Sequence, residues 1–285
     1  MNIVKKRFLG IAVILSFALL IVSCGGADSG KEKVTILYPN WAEGVAFTHL
    51  AKVALENKDY EVDLINLEPG LIYGELSKTN SKGDVFLDAW LPHTHEDYWN
   101  DYGDRLVVLG EAFSEGTTGL VVPSYVSINS IEELNNNANR FDNEIIGIGS
   151  GAGIHASTLK AIDEYDLNFE QISSSGPAMV ASLDRAVKNN DWVVITGWKP
   201  HYKWMNFDIK YLEDPKSVYP TDVCAIVSRR GFEEDMPEAA GFFRNFNLTE
   251  DQLYELMSLI DSEGDEDGAE QWYSENKGVV DSWFN

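Results

Sequence analysis

The chain is 285 residues long, 44% apolar and 12% aromatic, enough for one large globular domain or two lobes with cores of their own. Its 46 acidic residues against 22 basic ones give a formal charge of −24, which opposes binding to nucleic acid or an anionic membrane surface and suits a cationic or zwitterionic ligand. Solubility or a saline habitat accounts for the acidity equally well.

At the start, Lys5, Lys6 and Arg7 precede an apolar run from Phe8 to Val22. That run is shorter than the ~20 residues of a comfortable membrane span but fits the apolar region of a secretory signal. The sequence IVSC (21–24) then has the form of a bacterial lipobox. It predicts a lipoprotein signal peptide over 1–23 and acylation of the Cys24 thiol; an uncleaved anchor is the alternative. Residues 24–33 read as a flexible tether. With Cys24 acylated, Cys224 has no partner for a disulfide, and its apolar setting, VCAIV, marks it as a small buried residue.

Beyond the tether, short β-branched runs alternate with helical stretches. Strands are expected at 33–38, 61–67 and 83–90, with helices over 42–56 and 71–78. After a strand at 117–126 the pattern restarts: a helix at 130–135, a strand at 144–149, helices over 154–165 and 178–189, and a strand at 192–197. A further strand-like run covers 217–230, and acidic helices fill 237–284. This rhythm predicts an α/β fold with parallel sheets. Two lobes joined by two crossing strands, near 119–125 and 220–228, account for the order economically. Lobe 1 is then 34–120 plus 226–285, and lobe 2 is 121–225.

Three tryptophans share one local setting: Trp41 follows ILYPN, Trp90 follows VFLDA and Trp198 follows VVITG. Each stands at the C-terminal end of an expected strand, where open α/β sheets hold ligands. A tryptophan face attracts a cation that cannot donate hydrogen bonds, so an aromatic box suits a quaternary ammonium. At ~2 kcal/mol per desolvated contact, three rings supply most of the ~8 kcal/mol that micromolar binding requires. For each ring taken singly, packing is the competing reading. Trp192, Trp204, Trp272 and Trp283 lack this setting and are assigned to packing; Trp99 is read as a helix-face residue.

The stretch EIIGIGSGAGIHAS (144–157) runs from strand through a glycine-rich turn into a helix. It leaves N–H groups between Gly151 and His155 without helical partners, a site for a carboxylate or phosphate. Its loose match to a dinucleotide fingerprint is weak, because it falls in mid-chain. His201, three residues past Trp198, has the reach to add a hydrogen bond or a positive charge there; a structural histidine is the alternative. His93 and His95 form an H-x-H pair without further ligands at metal spacing, which leaves support of the Trp90 turn. The stretch DSEGDEDGAEQW (261–272) imitates a calcium loop but puts Ser274 where the bidentate glutamate belongs; it is read as a solvated turn between helices. Neither a nucleophile elbow nor a zinc-protease motif is found.

The segments NWAEGVA, VFLDAWLPHTHEDYW, GIGSGAGI, GWKPHYKW and YLEDP together resemble the glycine betaine/choline-type substrate-binding proteins of ABC importers, over nearly the whole chain after the leader. The resemblance implies a two-lobed, type II periplasmic-binding-protein-like fold with two hinge crossings and no catalytic residues, cofactor or metal. It implies delivery of a small solute to a membrane permease from an exported, membrane-anchored receptor. By motif, Trp41, Trp90 and Trp198 form the ammonium box, and the Gly153 and Ile154 amides with His201 hold a carboxylate. Glu43 stands where some members place an acid near the cation, while Tyr38, Tyr125 and His155 are further candidates. The expected ligand is glycine betaine or a close relative, with choline or carnitine as alternatives. An exported enzyme, or a sugar- or peptide-binding lipoprotein, is the reading from another class.

Overall fold

A computed structural model describes residues 31–285; the expected signal peptide, Cys24 and most of the tether lie outside the described residues. The elements in chain order are β1 (Lys33–Tyr38), α1 (Ala42–Glu56), β2 (Glu61–Asn66), α2 (Pro69–Leu76), β3 (Val85–Leu91), α3 (Glu96–Tyr102) and β4 (Leu106–Pro123). Next come β5 (Glu144–Ile146), α4 (Gly153–Glu164), β6 (Glu170–Ile172), α5 (Gly176–Asn189), β7 (Ile195–Lys199), α6 (Lys203–Asn206), β8 (Ile209–Tyr211) and β9 (Thr221–Arg229). The chain closes with α7 (Phe232–Asp235), α8 (Pro237–Asn245), α9 (Glu250–Glu263), α10 (Asp265–Glu275) and α11 (Lys277–Ser282).

The strands form one sheet in the order β2-β1-β3-β9-β4-β7-β5-β6, with β8 added beside β4. Two parallel groups, β1 to β3 and β5 to β7, flank the antiparallel pair β9–β4. Strands covered on both faces need apolar residues on both, which is why all seven residues of β3 are buried. Strand β4 changes partner along its length. Leu106 to Thr117 pair with β9, whereas Thr117 to Val121 pair with β7. Three register shifts along its β9 side bend it, so one strand serves both halves of the sheet.

Helix boundaries follow local chemistry. Ser175 caps α5 by accepting from the Ala178 N–H, with Pro177 in the first turn, and Asn190 closes the helix in the left-handed region at φ 58°. Thr249 and Gln252 form a reciprocal capping box on α9.

Several expectations need correction. The helix expected at 130–135 is a pair of 3-10 turns, Ile131–Glu133 and Asn135–Phe141, because the run of three asparagines competes for its own backbone. The strand expected over 144–149 ends at Ile146, and the one expected over 192–197 is displaced to 195–199. Strand β4 starts eleven residues before the expected position, its alternation hidden by the bulges. The calcium-like stretch is mostly helix: only Gly264, at φ 98°, separates α9 from α10.

Three apolar clusters hold these layers. The largest centres on Phe47, Phe242, Phe246 and Trp272, beneath α1 and α8 to α10; a second surrounds Leu120, Ile145 and Val194; a third lies under α2 and α3 around Tyr73 and Phe86. Helices α9 and α10 meet at Gly268, where an added Cβ would lie 2.6 Å from the Ile260 nitrogen. Gly268→Ala is therefore expected to cost about 1–3 kcal/mol of stability, read as a lower urea midpoint at unchanged slope.

Candidate functional site

The C-terminal ends of the parallel strands converge on a small, tightly lined cavity. It is lined by Trp41, Glu43, Trp90, Thr94, His95, Thr118, Ile148, Ala152, Gly153, Ile154 and Trp198. Trp41 caps α1 just after β1, Trp90 ends β3 and Trp198 lies on β7. The three rings anticipated from sequence therefore share one space. Trp90 and Trp198 are each 3% exposed, and Trp41 is half-buried. Gly116 makes room for Trp90: a Cβ there would come 2.9 Å from the ring.

At the other wall, α4 begins at Gly153. The Ala152 and His155 N–H groups are taken by Gly149 and Ala152 carbonyls, but among the described residues the Gly153 and Ile154 N–H groups have no acceptor. They point the positive end of the helix toward the cavity. Gly153 is required by a close approach, since a Cβ would lie 1.9 Å from the Thr94 carbonyl oxygen. Asp222 on β9 holds the facing loop, accepting from the His93 N–H at 2.7 Å and the Thr94 N–H at 3.0 Å. The Tyr98 hydroxyl crosses to donate to the Gly151 carbonyl at 2.8 Å.

Buried polar groups hold the rings, Glu43 at the cavity wall and Asp88 and Lys203 behind it. Trp198 Nε1 donates to Glu43 at 2.8 Å and Trp90 Nε1 donates to Asp88 at 2.9 Å. Burial pushes the Glu43 carboxyl up to about 7 and raises Asp88 well above the usual carboxylate range, the Glu43 charge adding to the latter. Lys203 is fully buried, with its nitrogen 3.7 Å over the Trp198 ring. Burial lowers its pKa well below the ordinary lysine value. His95 accepts the Trp90 N–H at Nδ1, and burial holds its pKa down at about 3.

His201 does not line this cavity. It lies against Trp198, ring centroids 4.8 Å apart, and faces an adjacent hollow that shares Trp41 and Trp198. Its Nδ1 accepts the Lys203 N–H, and burial with the nearby lysine keeps its pKa far below 6.5. The neutral ring thus carries its proton on Nε2 and offers a hydrogen bond, not a charge. Tyr38 packs edge-on to His49, Tyr125 donates to the Asp191 carbonyl at 2.6 Å, and His155 sits near Ser173; none is brought to the cavity. Thr118 lines the wall unannounced by any motif, and Ile148 lies within the glycine-rich segment without having been singled out. Asp88 did leave a signal, being an acid within an otherwise apolar strand. Trp192, Trp204, Trp272 and Trp283 pack as expected.

The fold and the cavity place the chain among two-lobed solute receptors of type II periplasmic-binding-protein architecture. Lactococcal OpuAC, in its closed-liganded conformation with glycine betaine, superposes with a TM-score of 0.85 at 33% identity, covering 90% of this chain and 100% of that one. ProX from Borrelia burgdorferi, a glycine betaine/L-proline-binding protein, gives 0.85 at 32% identity, covering 89% and 97%. Residues 32–275 match the substrate binding domain of the ABC-type glycine betaine transport system, and the chain belongs to that family. The family comprises extracytoplasmic transporter components. The glycine betaine/carnitine transport binding protein GbuC of Listeria monocytogenes serotype 1/2a (strain 10403S) is 38% identical over 145 residues, 49% of this chain. That match spans 48% of the relative's own length, about half. No helix among the described residues is long and apolar enough to cross a membrane.

Because Gly153 abuts the Thr94 carbonyl, Gly153→Ala is expected to push the 151–154 turn off the facing loop. Small-angle scattering should then show a larger radius of gyration than for the unaltered protein. An unchanged radius would mean that the turn yields without opening the cleft.

Proposed function

We propose that this chain is the lipid-anchored receptor of an ABC importer for glycine betaine or a close relative, without catalytic activity. The observation that carries the reading is the pairing, within one cavity, of three indoles with two unpaired amide N–H groups. The indole faces of Trp41, Trp90 and Trp198 take the trimethylammonium group. The Gly153 and Ile154 N–H groups take the carboxylate, whereas His201, expected from the motif to share it, faces the adjacent hollow and backs Trp198 instead. Acylation at Cys24 tethers the receptor to the membrane, and the closed form delivers solute to the permease. The lobes are assigned as 34–120 plus 226–285 and 121–225. Trp41 and Trp90 then come from the first, Trp198, Gly153 and Ile154 from the second, so a ligand that touches both favours closure through its greater affinity for the closed state.

Titration calorimetry with betaine and choline side by side tests this. Betaine is expected to bind and choline, lacking the carboxylate, to bind at least about tenfold more weakly. Equal affinities would remove the carboxylate role from Gly153 and Ile154. Trp198→Ala is expected to abolish binding while the circular dichroism spectrum is retained.

Glu43 lines the cavity and is held near pH 7 by burial. A bound cation favours its ionised form, so binding should release part of a proton and tighten as pH rises from about 6 to about 8. Calorimetry in buffers of different ionisation heat measures that proton, and Glu43→Gln should remove it.

A further inference from the structure

Each of the two most deeply buried cage indoles is backed by a carboxylate: Asp88 Oδ1 accepts from Trp90 at 2.9 Å, and Glu43 Oε2 from Trp198 at 2.8 Å. We propose that Asp88 and Glu43 are positioning residues that fix which part of each ring the cavity presents, and thereby its preference for a cation; this rests on the receptor reading above. The ring quadrupole makes direction matter. An indole face attracts a cation, whereas its edge, which carries the N–H, repels one. A carboxylate that takes the N–H turns the repelling edge into the protein and leaves the face toward the ligand.

Asp88 stands where an acid is costly to bury, with the Cys224 thiol beside it. It is 1% exposed in a strand whose seven residues are all buried, and it is not among the residues lining the cavity. An apolar residue of similar size would avoid the cost of burying an acid. Its second oxygen has no partner among the described residues and lies against the start of α1, where a Cβ on Gly44 would come within 2.8 Å. Glu43 begins that same helix, so the two acids and their two indoles are held as one unit. The ionisable groups that face this unit are Lys203 from α6, Cys224 from β9 and Tyr73 from α2. Trp198 and Glu43 are 155 positions apart, which makes their bond a contact between β7 and α1 as well as a ring anchor.

The test uses protein carrying 15N-labelled tryptophan, with the two indole N–H resonances assigned by Trp90→Phe and Trp198→Phe. Without ligand, Asp88→Leu is expected to shift the Trp90 resonance and Glu43→Leu the Trp198 resonance, each exchanging faster with solvent. Asp88→Asn and Glu43→Gln, which keep an acceptor oxygen, should restore slow exchange. Betaine affinity should fall about tenfold or more in the leucine variants and recover to within about threefold in Asp88→Asn, while Glu43→Gln, which loses a charge that faces the ligand, is judged by the Trp198 resonance alone. Should a leucine variant fail to fold, the alanine variant takes its place. Resonances unmoved by loss of the carboxylate would overturn the proposal, as would shifted resonances with unchanged affinity. If the unaltered protein binds no betaine, the receptor reading fails, while the resonances still decide whether the acids hold the rings.

Discussion

The hydrogen bond from Trp198 to Glu43 joins the end of β7 to the start of α1 across 155 positions of sequence, and both partners are buried. Separating them without water would leave a donor and an acceptor unsatisfied, a cost of about 1–3 kcal/mol and more for a charged group. The bond therefore ties the existence of the cavity to the approach of the two halves of the sheet. The Tyr98 to Gly151 bond and the contact of Gly153 with the Thr94 carbonyl lie across the same seam. None of these contacts is local in sequence, so the site is a product of tertiary structure, assembled only when β4 and β9 carry the chain from one parallel group to the other.

Burial drives His95, His201 and Lys203 toward their uncharged forms and Asp88 toward its protonated one. Lys203 lies 3.7 Å over the Trp198 ring, and burial lowers its pKa well below the ordinary lysine value, which weakens its claim on a ring that an incoming cation would share. Glu43 alone is poised near neutrality, and it is the acid that reaches the cavity.

Much of this was legible in the chain. Trp41, Trp90 and Trp198 announced themselves because strand, turn and ring recur in one order, and Gly153 with Ile154 because a glycine-rich turn opens a helix. Both signals are local and follow from rules about strand ends and helix termini. What stayed hidden is non-local. The bond between Glu43 and Trp198, the hold of Asp222 on the 93–94 loop and the burial of Lys203 depend on which segments meet. His201 was visible as a residue but not as a tautomer, since the partner that fixes its proton, the Lys203 N–H, belongs to a short helix that periodicity does not reveal. Strand β4 was missed over its first eleven residues for a related reason: bulges break the alternation by which strands are read.

A cavity with attraction at one wall and unpaired donors at the other selects by what it leaves unsatisfied. A trimethylammonium group fits the indoles whatever is attached to it, so the rings by themselves do not separate betaine from choline. In the proposed receptor the Gly153 and Ile154 N–H groups would, because a ligand without a suitable acceptor would leave them buried and unpaired, at about 1–3 kcal/mol each. The same donors favour a carboxylate over a hydroxyl, since an anion at the positive end of a helix gains from the dipole as well as from the hydrogen bonds. On the proposed reading, specificity would come from the helix terminus and affinity from the rings, and the tight approach of Gly153 to Thr94 keeps the first close to the second.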